Sequence, residues 1–298
     1  MDSILNYYLL FWVCIFGLCF GSFYNVVILR SLSGESLVFP NSKCPKCNTP
    51  LKPWHNIPVF SYIFLRGKCA FCREKISLQY PIIELLTMGL FAWSFLKFGL
   101  SCKTLFAIIL SSCLLIMTMT DFKEKLVDCS IAVGLAMFAL LFNGILYGTW
   151  IDSITGLFAG AAIMELIARI GYLFSKGRAF GEADTYVAGA LGACFGAIGL
   201  LQILVYTLIT AAIFIIPNFL YKQYKNNQKT ICILFILFIL SALIFKTLVQ
   251  NWFAFSALII TGITLAVLIL KNLKSETEPT YFPLVPAFSI ASLYFLFF

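Results

Sequence analysis

Charge is scarce in this chain. Of 298 residues, only 11% are Asp, Glu, Lys or Arg, while 61% are hydrophobic. A soluble domain carries about 25% charged and about 45–50% apolar residues, so a globule with a water-facing surface is excluded. Histidine is almost absent. His55, flanked by Trp54 and Asn56, is the only one, a weak metal or base candidate that reads more simply as loop packing. The first apolar run has no basic leader and no small-x-small cleavage site, so it is expected to be retained as a helix rather than removed as a signal peptide. No glycine-rich nucleotide loop follows a strand. No nucleic-acid motif is present either, so the net charge of +8 reads as basic loops beside a membrane.

Long apolar runs fill the space that charge leaves. A spanning helix needs roughly 20 apolar residues. Runs of that kind fall at about 4–29, 80–99, 104–120, 129–147, 153–174, 231–249, 252–270 and 281–298. The stretch 185–220 is too long for one pass, and its glycines at 189, 192, 196 and 199 allow a turn near "FGAIG" to split it. The expectation is an all-α, polytopic integral membrane helix bundle of about 8–10 transmembrane helices. The lysines and arginines of 30–79, of 123–125, of 169–178, of 222–229 and of 271–274 share one side, whereas "YGTWID" and "VQNW" carry none. That asymmetry places the basic loops in the cytoplasm and both termini outside. Lys97 and Lys103 break the rule.

The largest basic loop holds the most specific spacing. "CPKC" supplies Cys44 and Cys47, and "CAFC" supplies Cys69 and Cys72. Two C-x2-C knuckles offer four thiolates in the tetrahedral arrangement that structural zinc prefers, and disulfides are unexpected in the cytoplasm. Such a closed site holds a small lobe together and activates no water. The other cysteines, 14, 19, 102, 113, 129, 194 and 232, read as small buried hydrophobes.

Carboxylates are few, and two stand at membrane boundaries. Asp121, in "MTMTDFKEKLVD", sits where one apolar run leaves the membrane. Asp184, in "GEADTYVAG", sits where a later run begins, on the same expected side. Two aspartates that share a proton can divide the labour of peptide hydrolysis between general base and carbonyl polariser. An aspartate at a helix start can equally be an N-cap. Glu124, Asp128 and Glu182 compete for any acidic role, and spacing alone does not choose. Glu165 stands four residues before Arg169, a helical ion pair. Glu84 lies one turn into its helix, where the helix dipole favours a carboxylate.

Several ordered motifs resemble the bacterial type IV prepilin peptidases, the leader peptidase and N-methyltransferase family of pili and type II secretion. "GSFYNVVILR" (21–30) is similar to the first-helix signature. "CPKC", "WHNIPVFSYIFLRGKC" and "ISLQYPIIELL" match through the loop. "DFKEKLVD" and "FGEADTYVAGALGACFG" resemble the segments bearing the two catalytic aspartates, and "YFPLVPAF" (281–288) the closing helix. Leu29, Val127, Ala183 and Tyr186 depart from the pattern. Ala183, replacing the second glycine of Gly-x-Gly-Asp, requires helical or extended backbone there.

The resemblance implies a catalytic pair Asp121 and Asp184 and a structural zinc on Cys44, Cys47, Cys69 and Cys72. It implies S-adenosylmethionine as methyl donor, with no residue assigned to it. It implies prepilin or pseudopilin substrates, lipid and the pilus or secretion machinery as partners, no nucleic acid, and the bacterial inner membrane as location, with the cysteine lobe and both aspartates on the cytoplasmic side. The chain then divides into a first transmembrane helix (1–30), a cysteine lobe (31–79) and a peptidase bundle (80–298) with an inserted helical hairpin at 221–280. A presenilin-like protease and a transporter with a zinc lobe are the alternatives.

Overall fold

The computed structural model describes residues 2–34, 36, 39, 41–124, 127–175, 181–225, 233, 237 and 284–298. Their order is α1 (Asp2–Ser33), a 3-10 turn at Pro53–Asn56, α2 (Phe60–Phe64), α3 (Gln79–Phe98), α4 (Cys102–Glu124), α5 (Cys129–Tyr147), α6 (Trp150–Ser175), α7 (Glu182–Lys225) and α8 (Val285–Phe297). Six of these helices are long and apolar enough to cross a membrane. No strand longer than an isolated bridge occurs among the described residues. The all-helical expectation holds. The hairpin expected at 221–280, and Cys232 with it, lies almost wholly outside the described residues.

α1 and α3, although joined through the whole lobe, lie antiparallel. Gly17 faces Met88 and Gly21 faces Glu84, so α1 and α3 run in opposite directions at close range. A Cβ on Gly21 would stand 2.6 Å from the Cα of Glu84. Glycine is therefore what lets these backbones meet, the usual means of helix association in lipid. α6 and α7 pack likewise, Gly156 against Gly192 and Gly160 against Ala188.

Gly196, at φ 71° and ψ 176°, breaks α7. Before the break the chain climbs away from Asp184, and the side-chain amide of Asn143 reaches the carbonyls of Ala193 and Cys194, each at 3.1 Å. After it the chain returns along α8. Gly199 lies by the Phe295 ring, Tyr206 meets Tyr294 at 5.1 Å, and Thr210 reaches the Ala287 carbonyl at 3.4 Å. These contacts support two passes with a turn inside "FGAIG". The first is short: residues 182–195 rise about 21 Å.

One core joins α4, α5, α6, α7 and α8, centred on Leu110, Leu114, Met117, Leu135, Leu191 and Phe288. A smaller one, Tyr24, Ile28, Ile83 and Ile116, joins α1 and α3 to α4. Cys194 belongs to the large core and Cys113 packs against it, as small hydrophobes should. Cys19 and Cys102 do not follow that expectation, since both are exposed. Cys19 lies inside a spanning helix, and a thiol can face lipid there without a penalty that would drive it inward.

Candidate active site and metal centre

The cysteine lobe is built twice. Lys43 bridges Pro50, and Lys68 bridges Lys75. In each turn the first cysteine's amide donates across the loop, Cys44 to Thr49 and Cys69 to Glu74. In each, the residue after the second cysteine takes a left-handed conformation, Asn48 at φ 54° and Arg73 at φ 60°. Every position of the second knuckle follows its counterpart by 25 residues. The two turns bring the Sγ atoms of Cys44, Cys47, Cys69 and Cys72 within 4.8 Å of one another. Cys44 and Cys72 stand 3.9 Å apart.

A tetrahedron with metal–sulfur bonds of about 2.3 Å has sulfurs about 3.8 Å apart, so the donor set and its spacing fit such a metal. Hydrogen bonds from Thr49 hold the Cys47 thiol down to about 6. Cys72, although a backbone bond at Glu74 lowers it, is pushed up to about 11 by burial and by the neighbouring sulfurs. Thiolates crowded this way repel one another, and a divalent cation removes the conflict. His55 does not join them. It packs edge-on against Trp54 and Phe71, at 6.0 and 5.4 Å.

The lobe is fastened to the bundle by a carboxylate. Glu84, only 6% exposed, accepts a 2.7 Å hydrogen bond from the Val59 amide. Val59 is held at φ 59°, a conformation costly for a β-branched residue. Sequence reasoning placed Glu84 only in the field of its own helix. The partner sits 25 residues away in a loop, where no local pattern shows it. Beside it, Asn25 donates to the Gly21 and Tyr80 carbonyls, both at 3.2 Å.

Asp121 and Asp184 are the two most deeply buried carboxylates among the described residues, at 0% and 1% exposure. Asp121 closes α4 and Asp184 opens α7. Two crossing helices, α5 and α6, lie between them in sequence, so both fall at the same face of the bundle. The lobe lies at that face too, because it joins the end of α1 to the start of α3. α8 packs on α4 and α7, and its first amide, Val285 N–H, donates to Asp121 Oδ2 at 3.3 Å. Asp184 Oδ2 accepts from the Gly181 amide at 3.0 Å, half of a capping box. Asp184 thus stands in the first turn of α7 rather than at its N-cap, with its side chain reaching back to the cap residue Gly181.

The competing acids separate out. Asp128 is an exposed N-cap of α5, accepting from the Ser130 amide at 2.9 Å and its hydroxyl at 2.6 Å. Glu124 and Glu182 are exposed. Glu165 pairs with Arg169 at 3.0 Å on the surface. Ala183 is helical and absent from the left-handed set, so its methyl fits the motif without strain. Val285 is the site residue that sequence reasoning missed. "YFPLVPAF" was legible only as a closing helix, since a backbone donor leaves no side-chain signature.

Comparison with known proteins points to one family. Residues 15–98 match the bacterial peptidase A24 N-terminal domain, and residues 108–216 match the type IV leader peptidase family. A prepilin leader peptidase/N-methyltransferase of Neisseria gonorrhoeae is 35% identical over 222 residues, 64% of this chain and 76% of that protein. The chain belongs to the type IV leader peptidase family. Proteins of the same description from Klebsiella pneumoniae, 34% identical over 60% of this chain and 82% of theirs, and Aeromonas salmonicida, 30% identical over 72% and 83%, are also similar. No solved structure matches. The first family match spans α1, the lobe and α3; the second spans α4 to within α7. Membership makes the chain an enzyme, a multi-pass membrane peptidase.

Proposed function

We propose that this enzyme cleaves the leader from prepilin or pseudopilin precursors after glycine, at the cytoplasmic face of the bacterial inner membrane, and methylates the new amino terminus. The observation that carries the reading is the pair of aspartates. Two carboxylates, buried at one end of the bundle on helices far apart in sequence, each have one oxygen steadied by a backbone amide.

Such a pair shares a proton. The ionised member takes a proton from water as the water oxygen attacks the scissile carbonyl carbon. The protonated member donates to the carbonyl oxygen. The intermediate then breaks at the C–N bond, with the proton passing to the departing nitrogen. A substrate with a basic leader, then glycine, then an apolar helix presents its scissile bond where that helix meets the cytoplasm, at the level of Asp121 and Asp184. Glu124 and Glu182, exposed at that rim, attract the basic leader.

The four cysteines hold a structural zinc. S-adenosylmethionine supplies the methyl group when bound, and no residue is assigned to it. Residues 1–30 form the first helix, 31–79 the lobe and 80–298 the peptidase bundle. Purified enzyme, incubated with a prepilin and S-adenosylmethionine, should give a product shortened after glycine and heavier by one methyl in the mass spectrum. Intact precursor from folded enzyme, across several prepilins, refutes the peptidase assignment. A shortened, unmethylated product refutes only the transferase.

A further inference from the structure

Lys97 and Lys103 stand at the end of the bundle away from the lobe, where the other loops of that side carry no basic residue. Both are exposed. The only salt bridge among the described residues, Arg169–Glu165, involves neither. Asp152, in the first turn of α6, is a carboxylate exposed at the same end, and anionic membrane lipid is the larger source of negative charge beside this rim.

Lys103 also lines a cavity of about 280 Å³ whose walls are Phe98, Phe106, Phe142, Tyr147, Phe195 and Phe295. Of the polar groups in these walls, the Asn143 amide is already spent on Ser153 and on the Ala193 and Cys194 carbonyls, which leaves the Tyr147 hydroxyl. A greasy chamber with a single cation at its side suits an amphiphile, with tail inside and anion at the lysine. A free phosphate would gain the lysine and at most the Tyr147 hydroxyl, and would leave the aromatic walls unused.

The fold explains why the chamber exists. The α7 hairpin turns at Gly196 after a rise of about 21 Å, whereas the hydrocarbon core is roughly 30 Å thick. The turn therefore stops short of the far interface. The ends of α3 and α8 and the start of α4 stand around it, with Phe195, next to the turn, packed on Phe295 at 5.3 Å and on Phe106 at 6.4 Å. Tyr147 and Trp150, near the end of α5 and the start of α6, mark the interface where aromatic residues collect.

We propose that this cavity seats an acyl chain of an anionic phospholipid from the leaflet facing away from the lobe, with Lys103 on its phosphate and Lys97 strengthening the local field. The site lies at the opposite end of the bundle from the aspartates, and its test does not depend on the peptidase reading.

The test uses the purified full-length protein, stripped of lipid in detergent. Thermal unfolding is followed while phosphatidylglycerol, phosphatidylcholine of the same chains, or inorganic phosphate is added. Phosphatidylglycerol should raise Tm in a saturable manner and phosphatidylcholine should do so far less. In Lys103→Gln the dose response should move to about tenfold higher lipid, the worth of one charge-assisted contact. Arg169→Gln, a charge lost from the lobe-side end of α6, should leave it unmoved. Lysine 103 is exposed, so its substitution does not threaten folding. Equal stabilisation by both lipids, an unchanged response in Lys103→Gln, an equal loss in Arg169→Gln, or protection by inorganic phosphate alone overturns the proposal.

Discussion

The cysteine lobe and the aspartate face solve opposite problems. The lobe gathers its four ligands from within a few dozen residues, and each half is a turn that sets its own geometry. One of its thiols, Cys72, is exposed, and with so little core the lobe relies on the metal proposed for it. The aspartate face is built from the ends of helices that meet only when the bundle is complete. Its carboxylates are buried, and its supports are backbone amides: Gly181 for one and Val285, more than a hundred residues further on, for the other. A local site can be lost without the bundle, and a distributed site can be silenced without unfolding anything.

The largest test of that contrast is removal of the metal. Chelation, or Cys72→Ser, should abolish metal binding, with its apparent free energy of about 10 kcal/mol or more. Residues 41–75 should become sensitive to protease while the helical circular dichroism of the bundle stays close to wild type. One zinc per chain in elemental analysis, lost in the variant, is the check. Collapse of the helical signal along with the metal would mean that the two regions are not separable.

Asp121→Asn and Asp184→Asn should do the reverse. Each should lower cleavage by a factor of about 10²–10⁴, or about 3–5 kcal/mol in the barrier, with zinc content and Tm unchanged. Normal cleavage by either variant would remove it from the catalytic pair. Next comes the fastening between the regions. Glu84→Ala leaves the Val59 amide without its acceptor and should cost about 1.5–3 kcal/mol in thermal unfolding; Glu84→Gln, which keeps an acceptor oxygen, should cost less. Equal losses would show that the hydrogen bond is not what matters. Last, Gly21→Ala pushes a methyl into the backbone of α3 and should cost about 1–2 kcal/mol by overpacking, against almost nothing at Gly89, where an added Cβ meets no atom.

Legibility in the sequence followed the same division. The lobe's ligands could be named from spacing because C-x2-C turns carry their geometry with them. Most of the helices could be named because lipid demands long apolar runs, and the orientation could be argued because basic loops cluster on alternate sides. The acids could not be ranked from spacing. Asp128 and Asp184 look alike in sequence, each beside the start of a helix, and only the structure separates an exposed N-cap from a buried carboxylate in a first turn. The Glu84–Val59 bond and the Val285 amide were invisible for a deeper reason. Each depends on which helix end arrives beside which, a property of the assembled bundle that no window of sequence contains. Lys97 and Lys103 were visible as an anomaly, but the chamber that gives them a context exists only because the first arm of the hairpin, before Gly196, is short.

The doubled knuckle has a consequence for the order in which the protein is made. All four thiol ligands lie within the first 72 of 298 residues, before the codon for either buried aspartate has been read. A nascent chain can thus load its ion while it still consists of one finished helix and a loop. If these thiols hold zinc as proposed, the lobe would close around its ion before most of the bundle is made. A shortage of metal during synthesis would then be felt in the lobe first, while the later passes could still assemble on one another.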